Sequence, residues 1–334
     1  MTKPHPSWRV ALPAALLLAA LACDASDRDA EVLVKPPRAA TTTPRDTPLD
    51  ELDAGAGESA STALSWTGCD ISKKAYMAEC VAEYREQTGI EITLSGGGAT
   101  RGIRTAVGGM SDMGGTCRHA LPGRFPQEEG GTVLTHVAWD ALVFFTHPDN
   151  PVDGITSGQA RGVLTGKLTN WKELGGEDVA ILPVLRQQTV VGKLSGVGYM
   201  TRLMLFEDPE IEYTDLAVFR MSSGPLEEFV ELTPHTIAVT GVSSARKCAV
   251  KILELDGIAP NKDTIAAGEY PLFRPLYIAT HGTPRGRTKD FVDWLISEPG
   301  QAVLSAAGTV SLAEGECLNE KYRHWPTDGV EREL

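Results

Sequence analysis

The 334-residue chain is poor in aromatics, which make up 6% of it, and it lacks any apolar run long enough to cross a bilayer comfortably as a helix. With an ordinary hydrophobic fraction of 42%, nothing in it reads as an integral membrane protein or a coiled coil. Cations are also short: 31 Lys and Arg stand against 44 Asp and Glu, a net charge of −13. So acidic a surface repels polyphosphate backbones and anionic lipid headgroups, so no nucleic acid is expected as a partner. It does not exclude a small anion, which backbone dipoles in a closed cleft can hold without net positive charge. Among six cysteines and seven histidines there is no Cys-x-x-Cys and no neighbouring histidine pair. No metal site and no cofactor are therefore expected. No internal repeat divides the chain.

Catalytic signatures are missing too. Cys117 to Arg124 is one residue too long for a Cys-x5-Arg phosphatase loop. Gly97 and Gly102 have the glycine spacing of a P-loop, but Ile103-Arg104 follow where Lys-Ser/Thr is required to reach phosphates and magnesium. The chain is expected not to be an enzyme, with a phosphatase as the main enzymatic alternative.

What is present begins with a leader. Lys3 and Arg9 precede the apolar run Val10–Ala22, which ends at Cys23 and polar sequence, the pattern of a secretory signal over residues 1–22. Ala20-Leu21-Ala22-Cys23 resembles a bacterial lipobox, with the leucine one place later than usual, so Cys23 is expected to carry lipid; simple secretion is the alternative. Removing residues 1–22 removes two cations and no acid, taking the net charge from −13 to −15. Residues 23–63, rich in Asp, Ala, Thr, Pro and Gly, cannot bury enough apolar surface to offset chain ordering and read as a tether. Five cysteines would remain beyond Cys23: Cys69, Cys80, Cys117, Cys248 and Cys317. An oxidising compartment favours pairing, and an odd count leaves at least one free.

Ordered sequence starts near Leu64. Ser72–Gln87 has helical periodicity ending at Gly89, and Ile90–Leu94 alternates as a strand. Ser95-Gly96-Gly97-Gly98-Ala99-Thr100-Arg101 then joins that strand to a helix over 101–107 through glycines that let a ligand approach the backbone. Val137–Thr146 is an apolar strand broken by one acid, Asp140. Thr156-Ser157-Gly158-Gln159 has capping-box spacing and opens a helix to Leu164. Further strands are expected over 181–185 and 236–240, and helices over 198–206 and 289–296; beyond Cys317 the chain turns polar and is expected to fray. Strands alternating with helices place the chain in the α/β class.

Several segments occur in the order and spacing of a known family. They include Ser95–Gly98 with Gly102-Ile103, Ser111–Arg118, Ala138–Val143, Asp149–Val152, the long run Gly158–Gly176, Asp256–Pro260, Tyr270–Tyr277 and Glu298–Gln301. Over about residues 64–315 the chain resembles the periplasmic phosphate-binding proteins of bacterial ABC import systems. The resemblance implies a two-lobe periplasmic binding protein fold of type II, with a ligand cleft between lobes joined by two hinge strands near Ala141–Phe145 and Val239–Ser243. Residues 64–140 and 246–316 would form lobe 1, residues 141–245 lobe 2, and residues 317–334 a tail. The protein would be a monomer on the periplasmic side of a bacterial membrane, touching it only through the lipid, and would deliver phosphate or a related oxyanion to an ABC permease. A surface sensor or partner-binding module with a degenerate anion site is the alternative.

The same resemblance assigns ligand contacts. Ser95 and the N–H groups of Gly96, Gly97 and Gly98 would donate to ligand oxygens, Thr116 would add a hydroxyl, and Arg186 a charged fork. Asp112 would accept the proton of hydrogen phosphate and repel fully ionised sulfate. Where relatives have Ser-Gly-Thr after the arginine, this chain carries Gln187–Val197, so either Ser195-Gly196 or Thr189 would complete the shell. The first loop, Gly68-Cys69-Asp70, would place a cysteine and a second acid beside the ligand. Cys69 and Cys117 would both face the cleft, either as a disulfide pinning two ligand loops or as two separate thiols.

Overall fold

In the computed structural model, which describes residues 63–186 and 194–324, the ordered sequence after the tether opens as β1 (Ala63–Gly68). The leader, Cys23, nearly all of the tether and Thr189 lie outside the described residues. A helix, α1, follows at once over Asp70–Ser72, continues through a π-helical turn at Lys73–Met77 and runs on over Ala78–Thr88, where Gly89 closes it in the left-handed conformation at φ 73°. Then come β2 (Glu91–Ser95), α2 (Ala99–Val107) and β3 (Met113–Thr116). All three strands are parallel, with β1 between the other two. Trp66 explains the glycines around it: a Cβ on Gly68 or Gly115 would lie 2.5 Å or 2.0 Å from its buried ring, so only glycine lets the strands close over that indole.

The acid-broken apolar run lies within a 15-residue strand, β4 (Thr132–Thr146). Its first part, Thr132–Ala141, pairs antiparallel with β8 (Phe273–His281), and its last part, Leu142–Thr146, pairs antiparallel with β7 (Thr236–Gly241). Beyond β7 lie β5 (Leu182–Arg186) and β6 (Val218–Arg220), both parallel to their neighbours, giving the order β2-β1-β3-β8-β4-β7-β5-β6. One strand thus threads two α/β halves.

Helices cover the sheet. The expected capping box forms at α3 (Ser157–Leu164), with Thr156 accepting from Gln159 N and Gln159 accepting from Thr156 N. Then follow α4 (Gly196–Phe206), α5 (Ser223–Leu232), α6 (Gly286–Ile296) and α7 (Glu298–Ala306). The first part of the segment expected to fray is instead helical, α8 (Glu316–Arg323); residues 325–334 lie outside the described residues. Leu318 and Tyr322, one turn apart, are buried, and the Tyr322 ring packs edge-on against Trp139 at 5.7 Å. That apolar pair outweighs the polar composition around it.

Candidate anion-binding site

Because β1, β2 and β3 are parallel neighbours, their carboxyl ends at Gly68, Ser95 and Thr116 lie side by side. The helices that follow start at this edge and turn their free N–H groups toward it, which makes such an edge a ligand site. Two starts are tied together by backbone bonds: Gly98 N donates to Gly68 O at 3.1 Å and Cys69 N to Gly115 O at 3.0 Å. Gly98, the cap of α2, sits at φ 96°, where a side chain would be strained.

The other half of the sheet supplies the opposing wall. Ser195 caps α4, its hydroxyl accepting from Gly198 N at 3.2 Å. Gly196, the first residue of that helix, approaches so closely that a Cβ there would lie 2.7 Å from Ala99 Cβ and 2.8 Å from Cys117 Sγ. Three helix N-termini, those of α1, α2 and α4, therefore converge on one spot. Thr100 bridges the halves: its hydroxyl donates to Leu194 O at 2.5 Å and accepts from Arg118 Nη2 at 2.9 Å. Arg118 is fixed in turn by a fully buried two-pronged pair with Glu129, at 2.9 and 2.7 Å. Burial works against the Glu129 carboxylate, but the Arg118 bonds outweigh it and hold its pKa below the usual range.

Arg186, at the end of β5, faces the glycine loop: a Cβ on Gly98 would be 3.9 Å from its Nη2. Its side chain is buried, Nη1 donates to Arg220 O at 3.4 Å, and Nε has no hydrogen-bond partner among the described residues. Burial lowers its pKa, while Cys69, Asp70, Cys117 and Glu227 pull it back up, so it remains a cation in want of an anion. A cleft of about 600 Å³ opens here, lined among others by Gly97, Gly98, Thr100, Arg186, Leu194 and Ser195.

The structure brings Gly68, Cys69, Ser95, Gly96, Gly97, Gly98, Arg186, Ser195 and Gly196 to this edge. Thr116 is at the edge but fully buried, its hydroxyl taken up by Arg118, donating to O at 2.8 Å and accepting from N at 3.2 Å. Asp112 is not brought in. It is exposed, and its Oδ2 accepts from both Ser65 N and Ser65 Oγ at 2.7 Å, stapling β1 to the start of β3 beside a separate groove with Thr280–Arg285. The acid at the cleft is Asp70. Gly97 N donates to Asp70 Oδ1 at 3.2 Å, whereas Asp70 Oδ2 is shielded from solvent with no donor among the described residues.

Sequence reasoning missed Arg274. It lies on β8 directly opposite Asp140 of β4, is wholly buried, and keeps Nε and Nη1 without partners among the described residues. A lone arginine within an apolar strand, matched by a lone acid in another, was the available signal. Cys69 and Cys117 lie with Sγ atoms 3.4 Å apart, both buried free thiols. The bond between the two sulfurs favours a thiolate on Cys117 and a retained proton on Cys69; Arg274 and Arg118 add to the lowering at Cys117 against burial and Asp140.

Comparisons with known proteins agree with this geometry. The phosphate-binding protein PstS of Bacillus subtilis (strain 168) is 26% identical over 263 residues, 77% of this chain and 83% of its own length. PstS of Borreliella burgdorferi is 29% identical over 189 residues, 55% of this chain and 67% of its own. A crystal structure from Clostridium perfringens, described as a phosphate ABC transporter substrate-binding protein with bound phosphate, superposes with a TM-score of 0.67 at 25% identity, covering 75% of this chain and 99% of that one. The fold is thus the two-lobe α/β fold of binding proteins. Residues 58–299 match a family model described as a PBP superfamily domain, and the chain belongs to that superfamily.

Proposed function

We infer that this protein is an extracytoplasmic binding protein that captures inorganic phosphate, or an oxyanion of like shape and protonation, and hands it to an ABC permease without chemical turnover. The observation that carries the reading is Arg186: a buried guanidinium with an unpartnered Nε, facing the glycine loop where three helix N-termini meet. Helix dipoles and a buried cation replace the hydration shell of an anion, and this works whatever the net charge of the surface. The curated relatives named as phosphate-binding proteins support phosphate as the ligand.

In this reading Arg186 gives a charge-assisted contact and the N–H groups of the first turn of α2 and those of α4 after Ser195 complete the shell, because Gly97 N and Gly98 N already donate to Asp70 Oδ1 and Gly68 O; Asp70 takes the role first expected of Asp112. A shielded carboxylate oxygen without a donor suits a ligand that brings its own proton, which hydrogen phosphate does and sulfate does not. Residues 64–140 with 246–316 would form one lobe and 141–245 the other, parting about β4 and β7. The protein would work as a monomer, tethered through residues 23–63 to a lipid on Cys23. Calorimetric titration of the purified protein with phosphate, sulfate and molybdate tests the reading. One phosphate bound per chain, with no hydrolysis of phosphate esters, is expected; no heat with any of the three anions overturns it.

A further inference from the structure

Resting on the anion-site reading above, we propose that Cys69 and Cys117 are a redox modification site: they close to a disulfide, and that disulfide strengthens oxyanion binding in the adjoining cleft. The two sulfurs are 3.4 Å apart, within a small side-chain rotation of a bond of about 2.0 Å. They come from separate loops, the one after β1 and the one after β3, so the link would join two of the strand ends that frame the cleft. Neither other half-buried or exposed cysteine has such a neighbour: Cys248 is hydrogen-bonded with Lys74 and Glu227, and Cys317 donates to Ala266 O.

The location sets the direction of the effect. Cys69 caps α1, and Cys117 Sγ lies against Gly196, the first residue of α4. The charged and titratable groups around the pair are Arg274 on β8, Arg186 on β5, Arg118 beside Cys117, Asp140 on β4, and Asp70 and Tyr76 on α1. Negative charge on the reduced pair, which Arg274 and Arg118 draw toward Cys117, faces the same helix N-termini and the same guanidinium groups that an oxyanion needs, and so competes with it. Oxidation removes that negative charge and pins the loops.

The step balances as thiol–disulfide exchange. A small-molecule disulfide R–S–S–R is attacked by one cysteine thiolate, releasing R–S⁻, which takes up a proton; the second thiol then displaces the remaining R–SH as the Cys69–Cys117 bond forms. Two protons and two electrons pass from the cysteines to the disulfide reagent, which leaves as two thiols. Both sulfurs are buried and Gly196 roofs Cys117, so exchange requires this contact to loosen.

Purified full-length protein is incubated with glutathione disulfide, digested without reduction and analysed by mass spectrometry. Its fully reduced and oxidised forms are then titrated with phosphate by calorimetry. A peptide cross-linked between Cys69 and Cys117 is expected, with phosphate affinity at least about tenfold higher in the oxidised form, close to the least that removing a unit charge a few ångströms from the anion gives even at the dielectric of water. Cys69→Ser should abolish both the cross-link and the response to oxidant. Both thiols remaining free, or linkage to another cysteine, overturns the modification site. A correct cross-link with equal or weaker phosphate affinity overturns the coupling. A correct cross-link with phosphate bound by neither form overturns the anion-site reading and the coupling with it, while the modification site stands.

Discussion

Arg274 Nη2 lies 3.2 Å from Asp140 Oδ2, with both side chains fully buried, at paired positions of β8 and β4. Asp140 stands one residue before Ala141, the last residue of β4 to pair with β8. Its other oxygen, Oδ1, accepts from Ser243 N at 3.2 Å and Ser243 Oγ at 2.9 Å, in the turn that follows β7. One carboxylate thus ties β8 to the turn after β7 where the sheet changes from one half to the other. Asp140→Ala leaves a buried guanidinium unpaired and should cost about 3–5 kcal/mol. Denaturant unfolding measures it. Because an apolar replacement of both partners can be nearly neutral, Asp140→Leu with Arg274→Met should recover most of that loss; no recovery would mean that the pair does more than neutralise itself.

The pairing also shows what the sequence could and could not reveal. Strands and helices were legible because local periodicity and caps fix them: Thr156 and Gln159 cap α3 as their spacing predicts, and the glycine run ends a strand and opens a helix. Arg186 and Ser195 were legible as site residues because each ends or begins an element that points at the cleft. Asp112 and Asp70 were not separable by sequence. Both are acids within two residues of a parallel strand's end, Asp70 opening α1 after β1 and Asp112 preceding β3, and only the register of β1 against β3, which sets Trp66 opposite Met113, turns Asp112 toward Ser65 and away from the cleft. The α8 helix was missed because two buried side chains among polar ones leave a weak pattern in a short segment.

The placement of these two acids yields opposite expectations. Asp70→Asn should let sulfate compete with phosphate, since an amide can donate to a fully ionised ligand where the carboxylate repels it. Asp112→Asn should leave phosphate affinity and sulfate rejection unchanged and at most weaken the Ser65 staple. Arg186→Ala should lower affinity for every oxyanion by a factor of about 10–100, the scale of a hydrogen bond to a charged group. Calorimetry on the three variants decides it: sulfate binding by the Asp112 variant alone would return the selectivity to Asp112.

His136 sets a pH limit on stability. Burial pushes its pKa down to about 4, against a lesser upward pull from its bond to Ala138 O at 3.0 Å, and its ring meets Trp139 edge-on at 4.4 Å. An unfolded histidine titrates near 6.5, so between that value and about 4 the unfolded chain binds a proton that the folded chain refuses. The stability is fully present above pH 6.5 and is lost as pH falls toward 4, with a scale of about 3 kcal/mol. His136→Gln should flatten the part of the stability–pH profile between pH 6.5 and 4 that the parent owes to this group. An unchanged slope in the variant would assign the acid sensitivity to other groups.

Gly196 tests whether the close contact between the two halves serves binding. It begins α4, and alanine there would gain helix propensity of up to about 1 kcal/mol. The added methyl, however, would fall 2.7 Å from Ala99 Cβ and 2.8 Å from Cys117 Sγ, distances that real Cβ atoms do not tolerate, so either α4 or the glycine-loop helix must move. Overpacking of this kind costs about 1–3 kcal/mol, but a molecule whose halves meet across a cleft can avoid the cost by staying parted. Gly196→Ala should therefore change Tm little while phosphate affinity falls, because the parted form cannot bring Arg186 and the α4 N-terminus onto the anion together. Trimming the opposing side chain supplies the control. Cys117→Ala alone removes one of the two clashing atoms, so the double variant should regain part of the affinity that Gly196→Ala loses relative to its own Cys117→Ala parent. Equal losses in the two backgrounds would show that the contact with Cys117 does not govern closure and that Ala99 alone resists the methyl.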